Sequence, residues 1–181
     1  VPVIEALSTL DCLVSVDTYH IETAQAAVTA GADIINDISG GADPAMQALV
    51  AASGVGLCLM HMQGSPQTMQ NNPSYTDVVE EVAGFLAGRI STCVASGVMA
   101  DQIAIDPGFG FGKSLKHNLH LLRCLEQVRF EQHPLLVGLS RKSMLGTITG
   151  KLVEERDTAS VVAAVLAAQN GADIIRVHDV A

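Results

Sequence analysis

The chain has no excess of basic residues, no paired cysteines and no long apolar run, and each lack closes off a class of function. Its 10 Lys and Arg stand against 19 Asp and Glu, a formal net charge of −9. That balance argues against nucleic acid or an anionic membrane surface as the partner, so any bound anion must be held by a local cluster of positive groups. The four cysteines, Cys12, Cys58, Cys93 and Cys124, lie 31 to 46 residues apart with no C-x-x-C pair. This spacing suits reduced, mostly buried thiols in a cytosolic protein, and neither a disulfide frame nor a zinc site. No apolar stretch reaches the ~20 residues needed to span a bilayer, and no basic-then-apolar leader precedes a cleavage site. A soluble cytoplasmic protein is expected.

What is present is a strand-and-helix rhythm. The 181 residues, 49% hydrophobic and 16% charged, are enough for one domain with a well-buried core. Four apolar runs each break off into polar residues: Val14-Ser15-Val16 into Asp17, Ile34-Ile35 into Asn36-Asp37, Ile103-Ala104-Ile105 into Asp106, and Leu135 to Leu139 into Ser140-Arg141-Lys142. Strands buried on both faces read as continuous apolar runs, and parallel α/β folds place their chemistry at the carboxyl ends of such strands. Strands are predicted near 13–17, 32–38, 55–61, 102–106, 134–140 and 172–178. Residues 1–10 read as the end of a helix, and helical periodicity occupies 21–29, 44–52, 75–96, 118–128 and 158–169, in keeping with the crossover rule. Gly31, Gly54, Gly97 and Gly171 sit where helices should end in a left-handed cap. An internal echo, Ala30-Gly31-Ala32-Asp33-Ile34-Ile35 and Asn170-Gly171-Ala172-Asp173-Ile174-Ile175, fits a barrel, though a doubly wound sheet is also compatible with it.

The most specific segment is Asp106-Pro107-Gly108-Phe109-Gly110-Phe111-Gly112-Lys113. A P-loop would need glycine where Pro107 stands, and a dinucleotide fingerprint would need glycine where Lys113 stands, so both readings fail. The donors Ser140, Arg141, Lys142 and Ser143 gather after one strand. Arg176 and His178 alternate along the last expected strand and should point the same way, as an anion pair. His61 is expected to support a neighbouring site residue or to be structural, and His117 and His120 to be surface residues with no third ligand nearby.

Taken with Leu139-Ser140-Arg141-Lys142-Ser143, Met60-His61-Met62-Gln63-Gly64 and Arg176-Val177-His178-Asp179-Val180, the glycine segment closely resembles the dihydropteroate synthase family along all of 1–181. The resemblance implies a TIM (β/α)8 barrel read as a single pterin-binding domain. The implied reaction joins 4-aminobenzoate to the diphosphate ester of a hydroxymethyl-dihydropterin in folate biosynthesis, with Mg2+ assistance. Carried over residue by residue, it implies pterin contacts from Asp17, Asn36, Met60, Asp106 and Lys142, and diphosphate contacts from Arg176 and His178. It implies an aminobenzoate site from Phe111, Ser140, Arg141 and Ser143, with Lys142, Arg176 and Asp106 as the catalytic set. A pterin edge presents an amino group and ring N–H donors beside a carbonyl, whose natural complements are a carboxylate and an amide. The bland alternative for Asp17 and Asn36 is a cap or turn role, and for Phe109 and Phe111 ordinary packing under a loop.

A full barrel of this kind takes ~250 residues, so the chain corresponds to the third to eighth strand units. The family's first two units, with a metal-binding asparagine and a phosphate-binding arginine, and its final helix have no counterpart here. No metal ligand is therefore expected within the chain, and turnover is not expected from these residues alone. The resemblance further implies a cytoplasmic homodimer when full length, acting on small molecules and not on nucleic acid or membrane. A pterin-dependent methyltransferase and a non-catalytic pterin-binding fragment are the alternatives.

Overall fold

The computed structural model describes residues 1–130 and 133–180. In chain order the elements are α1 (Pro2–Leu7), β1 (Ser15–Asp17), α2 (Ile21–Thr29), β2 (Ile34–Asp37), α3 (Pro44–Ser53), β3 (Gly56–Met60), α4 (Val78–Ala95), β4 (Ile103–Asp106), α5 (Leu115–Arg123), β5 (Leu136–Val137), α6 (Ser143–Thr149), α7 (Asp157–Gln169) and β6 (Ile174–Ile175). They fall into two compact units, Val1–Met60 with Leu86–Ile105, and His61–Phe85 with the chain from Asp106 on.

The first unit is built on a sheet of order β1-β2-β3-β4. Strand β2 pairs in parallel with β1 and with β3, Ser15 opposite Ile34 and Ile34 opposite Gly56. Neighbours in space are neighbours in sequence, with α2 and α3 as crossovers. A doubly wound sheet would reverse this order at a switch point, so the order is that of an α/β barrel. The strands are apolar because Ile35, Leu57, Leu59, Ile103 and Ile105 are fully buried, each such side chain contributing about 1.5–3 kcal/mol. Helix α3 starts where the Asp43 carboxylate accepts from the Ala45 N–H and Pro44 presets the first turn, and it stops at Gly54, which is left-handed.

The second unit holds a two-stranded parallel sheet, β5 with β6, Leu136 opposite Ile174, and helices α5, α6 and α7. The internal echo has the same physical cause in both units. Asp33 accepts from the Val14 N–H at 2.7 Å while its own N–H donates to the Val14 carbonyl. Asp173 does the same with Leu135, at 2.9 Å. Each aspartate thus ties the start of its own strand to the strand before it.

The expected strands at 134–140 and 172–178 are cut back to Leu136–Val137 and Ile174–Ile175. Arg176 adds one further backbone bond to Val137, and His178 lies beyond the strand, so strand alternation does not orient that pair. The helix expected at 118–128 is α5 followed by a 3-10 turn at Leu125–Val128. No described helix is long and apolar enough to cross a membrane.

Candidate active site

In the first unit, parallel register sets Asp17 opposite Asn36 at the tips of β1 and β2. The Asn36 amide Nδ2 donates to Asp17 Oδ2 at 2.9 Å. Asn36 is 4% exposed and its Oδ1 has no hydrogen-bond partner among the described residues. A buried acceptor left unmatched costs about 1–3 kcal/mol, so this oxygen is suited to a ligand N–H. The following loop is held from its own side chains: Asp37 accepts from the Ser39 N–H, the Ser39 hydroxyl and the Gly41 N–H. Arg89 donates to the carbonyls of Gly40 and Gly41. Met60 ends β3 and is fully buried.

In the second unit, Asp106 closes β4 and is 2% exposed. Its Oδ1 accepts from the Gly108 N–H at 2.7 Å, and its main-chain carbonyl accepts from the His61 N–H. Burial pushes the carboxyl above the ordinary range, opposed by that N–H and by the charges of Arg176, Lys142 and Lys113. The glycine loop after it is pinned at almost every residue. Asn118 accepts from the Gly110 N–H, Gln70 donates to the Gly110 carbonyl, and the Tyr75 hydroxyl donates to the Gly112 carbonyl. Gly112, at φ +63°, comes so close that a Cβ there would sit 2.5 Å from the Gln63 carbonyl oxygen.

Lys113 ends that loop, 3% exposed. Its Nζ reaches the Gly108 carbonyl at 2.9 Å, the Phe111 carbonyl at 3.1 Å and His61 Nδ1 at 2.9 Å. Burial, then the charge of Lys113, holds the His61 imidazole down to about 3. Phe85 lies edge-on to that imidazole.

Lys142 stands at the residue before α6 and sets its Nζ over the Phe111 ring, 4.3 Å from the centroid, a cation–π contact. The turn that carries it is left-handed at Arg141, φ +57°. Ser160 Oγ accepts from the Arg141 N–H, and Asp157 holds the Arg141 guanidinium at 3.0 Å. Arg156 donates to the Arg141 carbonyl at 3.0 Å and lies against Gly146, where a Cβ would crowd its guanidinium. Ser140 Oγ meets both the His178 N–H and His178 Nδ1. The Arg176 guanidinium packs on Gly138. Ser143 is exposed at the first residue of α6.

The first unit thus joins Asp17 to Asn36, and the second sets Asp106 within electrostatic reach of Lys142 and Arg176 and Lys142 over the Phe111 ring, with Ser140 tied to His178. Arg141 spends its guanidinium on Asp157. Phe109 is packing, 1% exposed. His117 is not simply on the surface: its Nδ1 accepts from the Ser114 N–H and its ring meets Tyr75. Lys113, Arg156, Asp37 and Arg89 were not singled out from sequence. The Gly-Lys end of the glycine motif is the one signal that could have pointed to Lys113. Among the described residues no group of three or more His, Cys, Asp or Glu side chains could hold a metal ion. The cations acting on Asp106 oppose a divalent ion there, so these residues do not fit Mg2+.

A family profile described as "Pterin binding enzyme" matches residues 1–178. The dihydropteroate synthase of Haemophilus influenzae is 43% identical over 100% of this chain and 66% of its own length. A crystal structure of the Burkholderia cenocepacia dihydropteroate synthase complexed with 7,8-dihydropteroate matches with a TM-score of 0.92 at 47% identity, covering 99% of this chain and 67% of that one. The Thermus thermophilus enzyme in complex with 4-aminobenzoate matches with a TM-score of 0.93 at 44% identity, over 98% of this chain and 69% of its own. The chain spans about two thirds of the length of the curated relatives it matches, 64% to 66% for the dihydropteroate synthases of Escherichia coli and H. influenzae. The α/β fold with parallel strands is that of an incomplete TIM barrel.

Proposed function

This chain belongs to the pterin binding enzyme family, and on that premise we propose that the protein is a dihydropteroate synthase of folate biosynthesis. It joins 4-aminobenzoate to the diphosphate ester of a hydroxymethyl-dihydropterin. The amine nitrogen forms a C–N bond with the exocyclic methylene as the C–O bond breaks. Diphosphate departs with the electron pair, and the amine proton passes to solvent. No covalent nucleophile is needed, so orientation and charge carry the catalysis.

The observation that carries the reading is Asp106: a carboxylate 2% exposed, acted on by Arg176, Lys142 and Lys113. Its oxygens accept from the amino and ring N–H groups of the pterin. Asp17, Asn36 and Met60 keep their assignment to the pterin through the sequence resemblance, and the unmatched Asn36 Oδ1 supports it. Lys142 contacts the pterin and stabilises the charge growing on the leaving oxygen, while Arg176 and His178 bind the diphosphate. Phe111 offers its ring to the aminobenzoate, and Ser143 with the backbone around it offers donors to its carboxylate, the Arg141 N–H being held by Ser160 Oγ. The same reading makes the protein a cytoplasmic homodimer, and no step of it runs through Mg2+.

The test joins the chain to the part of the H. influenzae relative that it does not span, supplies both substrates and Mg2+, and follows diphosphate release. Release that requires 4-aminobenzoate and is lost on Asp106→Asn supports the reading. Release that is absent, or indifferent to Asp106, overturns it.

A further inference from the structure

We propose that Lys113 is a positioning residue: its buried ammonium, braced by His61, fixes the loop that presents Asp106 and Phe111. This rests on the reading of Asp106 as the pterin's carboxylate partner. Three acceptors surround Nζ, the carbonyls of Gly108 and Phe111 and the ring nitrogen of His61, at 2.9, 3.1 and 2.9 Å. An ammonium has three N–H donors and a neutral amine has two. The arrangement is therefore complete only when Lys113 is charged and His61 is neutral with its proton on Nε2.

The two carbonyls belong to the turn that also aims Asp106. Gly108 donates to Asp106 Oδ1, and Phe111 donates to the Gly108 carbonyl. Phe111 carries the ring under Lys142. Losing one proton from Lys113 leaves three acceptors facing two donors, and either a loop carbonyl is released or His61 must move its proton to Nδ1. The charged groups bearing on Lys113 are Asp106, which favours its proton, and Lys142, which disfavours it. Burial is the largest influence and brings the ammonium down to about 7. The bracing is therefore lost within the ordinary working range of pH.

Two measurements test this. Calorimetry with hydroxymethyl-dihydropterin diphosphate as the probe compares the protein with Lys113→Met between pH 6 and 9. The parent should lose affinity as pH rises through about 7. Lys113→Met should bind roughly tenfold more weakly at pH 6, with no such inflection. A parent that binds no pterin would count against the proposed function. A parent that binds while Lys113→Met matches it in affinity and pH profile would overturn the positioning role. The second measurement needs neither ligand nor variant: 15N NMR of the parent should show His61 in its Nε2–H form at pH 6. The amide signals of Gly108 and Phe111 should then move together near pH 7. Amides that stay still from pH 6 to 9 would overturn the proposal.

Discussion

Replacing Gly112 and Gly54 by alanine, one at a time, separates two costs that a left-handed glycine can hide. Both are left-handed, at φ +63° and +76°. An L side chain in that region costs about 1–2 kcal/mol. At Gly54 a new Cβ meets nothing within 4 Å among the described residues, so the backbone cost stands alone there. At Gly112 the same Cβ would lie 2.5 Å from the Gln63 carbonyl oxygen and 2.9 Å from its nitrogen. These are backbone atoms, which cannot swing aside as a side chain would, and such overpacking adds about 1–3 kcal/mol. Gly54→Ala should therefore cost about 1–2 kcal/mol and Gly112→Ala about 2–5 kcal/mol. Urea unfolding followed by circular dichroism reads this as a difference in midpoint at constant slope. In a chain of this size each kcal/mol lowers the melting temperature by about 2–4 °C. If the two variants lie within about 0.5 kcal/mol of each other, the glycine loop is not pressed on the Gln63 backbone and the account of its shape is wrong.

Acid should weaken the fold through His61, whose imidazole takes up a proton near pH 6.5 when unfolded and only near 3 when folded. The folded state binds fewer protons between those values, so this contribution to stability is full above 6.5 and falls as pH drops toward 3, by on the order of 5 kcal/mol. A urea midpoint that holds steady from pH 6.5 to 4 would contradict the burial of that ring. Arg176→Ala should cost about 1.5–3 kcal/mol of diphosphate affinity by calorimetry, and unchanged affinity would remove Arg176 from the anion site. Asn36→Leu removes the unmatched acceptor as well as the bond to Asp17. It should weaken pterin binding while changing stability by less than about 1 kcal/mol, and a large loss of stability with intact binding would make Asn36 a structural residue.

Local signals in the sequence carried much of the fold. Helix α2 runs from Ile21 to Thr29, as its periodicity predicts. Gly31, Gly54, Gly97 and Gly171 all take positive φ where helices end. Strand lengths were less legible, because an apolar run marks burial, whereas a strand is counted only where a partner completes the ladder. Helix α6, Ser143–Thr149, was missed: it is one short stretch with Gly146 in its middle, a poor helix former kept for the sake of Arg156. At the site, the strand-tip residues Asp17, Asn36 and Asp106 announced themselves by breaking apolar runs. The residues that hold the loops did not. Lys113 meets His61 across 52 positions, and Arg89 meets Gly40 across 49, distances over which no spacing rule operates.

The central claim is that Asp106 receives a reduced pterin, and equilibrium binding tests it most directly. The chain contains no tryptophan, so the intrinsic fluorescence of hydroxymethyl-dihydropterin diphosphate can be titrated with little protein background. The prediction is saturable binding with one site per chain, weakened at least roughly tenfold by Asp106→Asn through loss of a charged acceptor. Absence of saturable binding, or equal affinity in parent and variant, would contradict it.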